Sequence, residues 1–379
     1  MTAAFRVALL PWAISRLVVF ATALVTSALF GPPTRGVDPA VPSWIAQIGG
    51  WDTTWYLSVA RHGYEHDVGQ VGETFTNLAF FPVLPGVMAA GGALGLNPFW
   101  FAILVCNLAF LGALALFGIL GRRVVGAETA RRSVWVLAFV PMSVYASMAY
   151  SEAIVLLCVA GAALLATRGQ FALAGLVAAV AAIARPPGLL VAVLVGLIAL
   201  SADGTRATRW SRAALGTAPA VLALGGFLTW MQVARGSWKL PFQAQEAWSR
   251  GQLGSGLFTA LPKEIAAAAT QLVHLRGSAQ WTSGVRDVAA LVGAVWLLRK
   301  LARQIGWRSP WVVFSALAVA LPIASGSVLS SARFSLLAVP LVWPLADWIG
   351  SEKRRQRTAA CAAVAVMVLL VAQLEMRSP

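Results

Sequence analysis

The chain has 379 residues, 59% of them hydrophobic and only 11% charged. A soluble domain carries about 25% charged residues, so the composition excludes a soluble, disordered or nucleic-acid-binding protein despite a formal net charge of +15. It fits an all-α, polytopic integral membrane protein of about ten to twelve helices, at roughly 20 apolar residues per span.

The first apolar run, about 8–30, is long for a signal peptide and lacks a small-x-small cleavage site, so it reads as a retained span with Arg16 inside it. The region 31–98 follows as a first non-cytoplasmic loop. Its part 31–76 holds Asp38, Asp52, Glu65, Asp67 and Glu73 with few cations. Segment 77–96 is apolar but broken by Pro82, Pro85 and four glycines, which favours a re-entrant piece on the outer side. Further apolar runs lie near 99–120, 133–149, 152–168, 171–184, 187–201, 213–234, 285–300, 310–326, 334–349 and 358–375. A second non-cytoplasmic loop covers about 236–283, with Trp238, Trp248 and Trp281 suited to an interface.

Between these runs the arginines cluster: Arg122, Arg123, Arg131 and Arg132; Arg206, Arg209 and Arg212; Arg299, Lys300, Arg303 and Arg308; Lys353, Arg354, Arg355 and Arg357. Cytoplasmic loops look like this under the positive-inside rule, and membrane lipids with anionic headgroups are their natural partners. Only four of the 29 cations are lysines; scarce Lys with abundant Ala, Arg, Gly and Val fits a GC-rich bacterial genome and hence a bacterial plasma membrane. Cys106, Cys158 and Cys361 all lie in apolar runs, with no spacing for a disulfide framework or a metal. No internal repeat divides the chain, so 1–379 reads as one membrane domain.

Six groups of residues are candidates for chemistry. Trp51-Asp52-Thr53-Thr54-Trp55-Tyr56-Leu57 runs into Arg61-His62-Gly63-Tyr64. A helix from Thr53 would put Trp55, Val59 and His62 near one face, with Asp52 either as its N-cap or as a general base at a cavity mouth. Ala79-Phe80-Phe81-Pro82-Val83-Leu84-Pro85 is an aromatic-proline elbow that ordinary packing at a helix break would also explain. In Tyr150-Ser151-Glu152 a carboxylate interrupts an apolar stretch, where it faces the interior or a pathway, or pairs structurally. Arg185-Pro186-Pro187-Gly188 sets a cation at a helix break, and Gln243, Gln245, Trp248 and Arg250 form a cluster in the later loop. Ser331-Ala332-Arg333-Phe334 precedes the run containing Pro340. The topology puts Asp52, Glu152, Arg185, Trp248 and Arg333 at one membrane face.

The order of these motifs resembles the PIG-V family, the second mannosyltransferase of GPI-anchor assembly, and its bacterial relatives. Trp51-Asp52-x-x-x-Tyr56-Leu57-x-x-Ala60-x-x-Gly63-Tyr64 is similar to its opening motif. Ala79-Phe80-Phe81-Pro82-x-x-Pro85, Tyr150-Ser151-Glu152 and Arg185-Pro186-x-Gly188 follow in the family's order. Ser331-Ala332-Arg333-Phe334 resembles a late Arg-Tyr block, with Phe334 in place of Tyr. The resemblance runs from about residue 51 to 345. It implies a GT-C fold, a polyprenyl-phosphate mannose donor, and Asp52 as the catalytic base.

The expected reaction is inverting transfer of mannose to a lipid-linked or cell-envelope glycan on the non-cytoplasmic face, giving an α-mannoside. Arg185 and Arg333 hold the donor phosphate; Trp51, Tyr56, His62, Tyr64, Phe81, Tyr150, Glu152, Gln245 and Trp248 contact substrates. Glu152 is the carboxylate placed to neutralise one of the two arginines, leaving the other for the ligand. Asp52, Glu65, His66 and Glu73 could ligate a divalent metal, but a phosphate neutralised by arginine needs none, and no cofactor is expected. A transporter or flippase for a polyprenyl-linked substrate is the alternative from another class, since broken helices and intramembrane arginine suit it too. The changed Phe334 leaves a third reading, a non-catalytic assembly subunit.

Overall fold

The structure, a computed structural model, describes residues 2–31, 37–69, 71–248, 279–324 and 331–376. Its longer helices are α1 (Thr2–Phe30), α2 (Asp52–His62), α3 (Val83–Ala93), α4 (Pro98–Val124), α5 (Ala127–Phe139), α6 (Glu152–Ala166) and α7 (Phe171–Ala182). Then come α8 (Leu190–Ser201), α9 (Arg206–Arg235), α10 (Ala279–Ile305), α11 (Pro310–Ala324), α12 (Val342–Gly350) and α13 (Lys353–Met376).

Local chemistry sets several boundaries. The Asn97 side chain accepts from the backbone N–H groups of Phe99 and Trp100, with Pro98 in the first turn, and so starts α4. Thr205 caps α9 through Thr208 N–H, and Gly236, at φ 85°, ends it in the left-handed region. Ala4–Phe30, Pro98–Val124, Arg206–Arg235 and Lys353–Ala372 are long and apolar enough to cross a membrane. Several of the other apolar runs form shorter helices bounded by proline. The Pro141–Ala146 turn follows α5, Pro186–Leu189 precedes α8, and Val339–Leu341 precedes α12.

Helices α1 and α4 through α13 run back and forth between two ends of the bundle. α9 packs along α7 and α8, α4 against α5 and α6, and α1 against α4 and α13. Exposed leucines and valines such as Leu29, Leu222, Val233 and Leu369 cover the outside of α1, α9 and α13. Apolar surface on that scale belongs against hydrocarbon. The short α3 has 11 residues and rises only ~16 Å. Its flanks stay at one end, where Asn97 Nδ2 donates to the Ala40 carbonyl at 3.1 Å. All four arginine clusters consequently lie at the other end.

A buried cation ties α1 to this frame. Arg16, 4% exposed, donates to the Ser143 carbonyl, Ser143 Oγ and Ser147 Oγ, and lies over the Phe110 ring. Ser147 Oγ donates onward to Asn107 Oδ1 at 2.8 Å. These bonds offset the burial of the guanidinium and fix the connection between α5 and α6, which carries Tyr145, Tyr150 and Glu152.

Candidate active site

Asp52 is the first residue of α2 rather than its N-cap. The preceding Trp51 has φ 59° and ψ −123°, the one non-glycine residue with positive φ among the described residues. No side chain caps the helix. A non-glycine residue held there costs of order 1–3 kcal/mol, and the turn leaves the Asp52 carboxylate unused by the helix. Its Oδ2 instead accepts from Arg333 Nη1 at 2.7 Å.

Glu152 opens α6, where the positive end of the helix dipole favours a carboxylate. It is 3% exposed, and its Oε1 accepts from both Arg185 Nη1, at 2.7 Å, and Arg333 Nε. The expectation that Glu152 neutralises one arginine and leaves the other for the ligand is therefore corrected. One oxygen serves both, and Asp52 takes Nη1 of Arg333. Two acids and two arginines balance in charge, which is what a low-dielectric site requires.

Tertiary contacts aim each arginine. Arg185 sits on the turn into Pro186–Leu189, and Gly188 lets that turn press onto α7: a Cβ there would lie 1.8 Å from the Ala181 carbonyl oxygen. Gly188→Ala is expected to push the turn away, cost about 1–3 kcal/mol and displace Arg185. A thermal-inactivation half-life equal to that of the natural chain would refute this. Arg333 lies on the short helix Ser331–Ser335, whose Ala332 N–H donates to the buried Asp287 of α10 at 3.1 Å. Its guanidinium lies 4.5 Å from the Tyr150 ring centre and 5.1 Å from that of Tyr145, a cation–π platform.

Two phenols complete the floor. Tyr150 Oη accepts from the Asp52 N–H at 3.3 Å, and Tyr56 Oη pairs with Ser151 Oγ at 3.1 Å. Burial pushes both hydroxyls above the ordinary tyrosine range, and the neighbouring carboxylates push the same way. Both stay neutral and able to donate.

The remaining candidates take no part in these ion pairs. His62 is exposed at the far end of α2. Tyr64 is buried, donates to the Phe80 carbonyl at 2.7 Å and accepts from Arg235 Nη2 at its own carbonyl. Phe81 is 1% exposed and packs on Phe227, while Gln245 Nε2 donates to the Ala79 carbonyl at 3.0 Å. These three hold the 64–81 segment against α9 and the 244–248 turn. The side chains of Trp248 and Phe334, and Arg250, lie outside the described residues. Glu65 is bonded to Asn77. Among the described residues, no three His, Cys, Asp or Glu side chains meet in a way that could hold a metal ion.

Sequence reasoning missed Tyr145 and Asp287. An acid inside the α10 run was a visible signal for Asp287; Tyr145 carries none of its own.

No family model and no curated protein sequence matches the chain. Among solved structures it is similar to ArnT from Cupriavidus metallidurans bound to undecaprenyl phosphate, with a TM-score of 0.55 and 17% identity over 94% of this chain and 62% of that one. A looser likeness is to the Archaeoglobus fulgidus oligosaccharyltransferase in its apo form, with a TM-score of 0.47 and 13% identity over 97% of this chain and 56% of that one. The chain thus spans less than two thirds of the length of either. At such identity the likeness to ArnT concerns architecture: this chain has an all-α, polytopic fold similar to that of ArnT.

Proposed function

We propose that this chain is a membrane glycosyltransferase of the PIG-V type. It moves mannose from polyprenyl-phosphate mannose to a lipid-linked or cell-envelope glycan, with inversion, on the non-cytoplasmic face of a bacterial plasma membrane. The observation that carries the reading is the closed charge set Asp52–Arg333–Glu152–Arg185. It joins a candidate base to two guanidinium groups suited to a phosphate. The undecaprenyl phosphate bound to ArnT supports a lipid-phosphate ligand on this fold, and the arginine clusters at the opposite end support the sidedness.

Depth supports it as well. α6 and α7 have 15 and 12 residues, so they rise only ~22 and ~18 Å and stop short of a full span. Glu152 and Arg185, at their ends, lie recessed in the bundle, a depth suited to a phosphate whose prenyl chain remains in the bilayer. Val155, Leu156, Leu336 and Leu337 supply an apolar wall beside them.

The cavity bounded by these residues, Glu152, Arg185 and Arg333 measures only about 20 Å³, close to the room one water needs. A phosphate therefore enters by drawing Arg333 away from Asp52. Binding of the donor thus frees the base. The Asp52 carboxylate then accepts the proton of the acceptor hydroxyl as that oxygen bonds to the anomeric carbon. The bond from that carbon to the phosphate oxygen breaks with its electron pair staying on the phosphate, which Arg333 and Arg185 hold. The proton remains on Asp52, and no covalent enzyme intermediate and no metal are needed. Trp51, half-exposed beside Asp52, offers an aromatic surface for an acceptor sugar.

The test is transfer of label from polyprenyl-phosphate mannose in proteoliposomes containing the full chain and a lipid extract of the source membrane. Label is expected to leave the donor and appear on a second lipid or glycan. Arg333→Lys keeps the charge but loses the two-pronged geometry, so transfer should fall roughly 100-fold at normal protein yield. Label that stays on the donor with the natural chain, or full transfer by the lysine variant, would overturn the reading.

A further inference from the structure

At the end of the bundle opposite the charged site, a cavity of about 360 Å³ opens where α6 and α8 end and α7 and α11 begin. Phe171, Ile198 and Trp311 form much of its apolar wall, Ser201 lies at an exposed rim, and Arg212 is its charged group. Arg212 is half-buried; its Nη1 donates to the Asp203 carbonyl at 2.7 Å, and the guanidinium carbon lies 5.9 Å from the Phe171 ring centre. Nε and Nη2 make no hydrogen bond among the described residues.

The surroundings are cationic. Arg168, Arg206, Arg209, Arg212 and Arg308 flank the cavity in the chain against a single acid, Asp203. None of the five makes an ion pair among the described residues. α9 begins with three arginines in its first two turns and no acid, the wrong sign for the positive end of a helix dipole. An anion from outside the chain relieves that repulsion. Trp210 and Trp307, 56% and 61% exposed, flank the same end, where such residues mark the headgroup level of a bilayer.

We propose that this cavity binds an anionic phospholipid of the adjoining leaflet. Its phosphate accepts from the free arms of Arg212, and the first part of its acyl chains lies on the apolar wall. Arginines on a flat surface would attract headgroups diffusely and need no cavity. A guanidinium set at one side of an apolar cavity instead matches an amphiphile with its charge at one end. The proposal stands independently of the reaction assigned to the opposite end.

The test uses the purified full chain in dodecyl maltoside, following its unfolding temperature as phosphatidylglycerol, phosphatidylcholine or inorganic phosphate is added. Phosphatidylglycerol is expected to raise it saturably, by a few degrees, and the other two are not. Arg212→Gln should raise the half-maximal phosphatidylglycerol concentration about tenfold. Ser201→Trp should do the same with every charge intact, by filling the cavity from its exposed rim. Arg206→Gln, which removes a charge outside the cavity, should raise it far less than Arg212→Gln does. Four outcomes would each overturn the proposal: an equal shift with phosphatidylcholine; a full shift with inorganic phosphate alone, which would make the ligand a soluble ion; equal weakening by Arg206→Gln, which would mean diffuse attraction; or no weakening in Arg212→Gln and Ser201→Trp alike.

Discussion

Asp52→Asn is expected to abolish most transfer while making the protein bind polyprenyl phosphate more tightly. The loss follows from the chemistry: an amide cannot take the proton of the attacking hydroxyl, so turnover should fall by roughly two or more orders of magnitude. The gain follows from the geometry. Asp52 Oδ2 holds Arg333 Nη1 at 2.7 Å, so the carboxylate competes with the donor phosphate for the same arm. A neutral amide competes less, and the phosphate-ready state of Arg333 is more populated before the ligand arrives. Affinity should rise about tenfold for a competing state of corresponding weight. Titration of the Asn variant and the natural chain with polyprenyl phosphate, beside the transfer assay, separates the possibilities. Equal affinity with lost transfer would keep the base and remove the competition. Weaker binding in the variant would mean that Asp52 helps hold the phosphate, which an anion does only through a bridging cation.

Glu152→Gln is expected to damage the fold itself. Glu152 Oε1 accepts from both arginines. The amide keeps the shape but removes the charge they share, so Arg333 keeps Asp52 alone and Arg185 loses this partner. Breaking a buried pair from one side costs about 3–5 kcal/mol. In a polytopic chain the loss is read as a rate, so it appears as a much shorter half-life of the purified protein at fixed temperature. Asp52→Asn leaves Arg333 its Glu152 bond and should retain most of that half-life. Equal half-lives for the two variants would show that the bridge at Glu152 does not hold the site together.

Much of this arrangement is visible as residue types in a linear chain. Glu152, Arg185 and Arg333 stand out because each sits at the edge of an apolar run, where an ionised group is expensive unless it serves a pathway or a partner. The elbow at Pro82 and Pro85 and the break at Pro186 are equally plain, since proline ends helices through its own covalent geometry. The partners are another matter. Tyr64, Phe81 and Gln245 stand in motifs that suggest substrate contact, yet their bonds and packing run to Phe80, Phe227 and Ala79. Nothing near any of them in the chain announces those neighbours.

Composition and the spacing of charges by themselves determined that this is a helical membrane protein, that its arginine clusters share one end, and where proline breaks its spans. Those properties depend on each residue and its immediate neighbours, through hydropathy, helix propensity and ring geometry. Only the tertiary structure decided which group the Asp52 carboxylate meets. The same aspartate at the same point of a helix start can cap the backbone or meet a distant arginine, and both fit the local sequence. The left-handed turn at Trp51, the Ala332–Asp287 bond and the close approach of Gly188 to Ala181 decide between them. They do so by setting four charged side chains from four separated segments within hydrogen-bond reach, a matter of helix packing that no local pattern encodes.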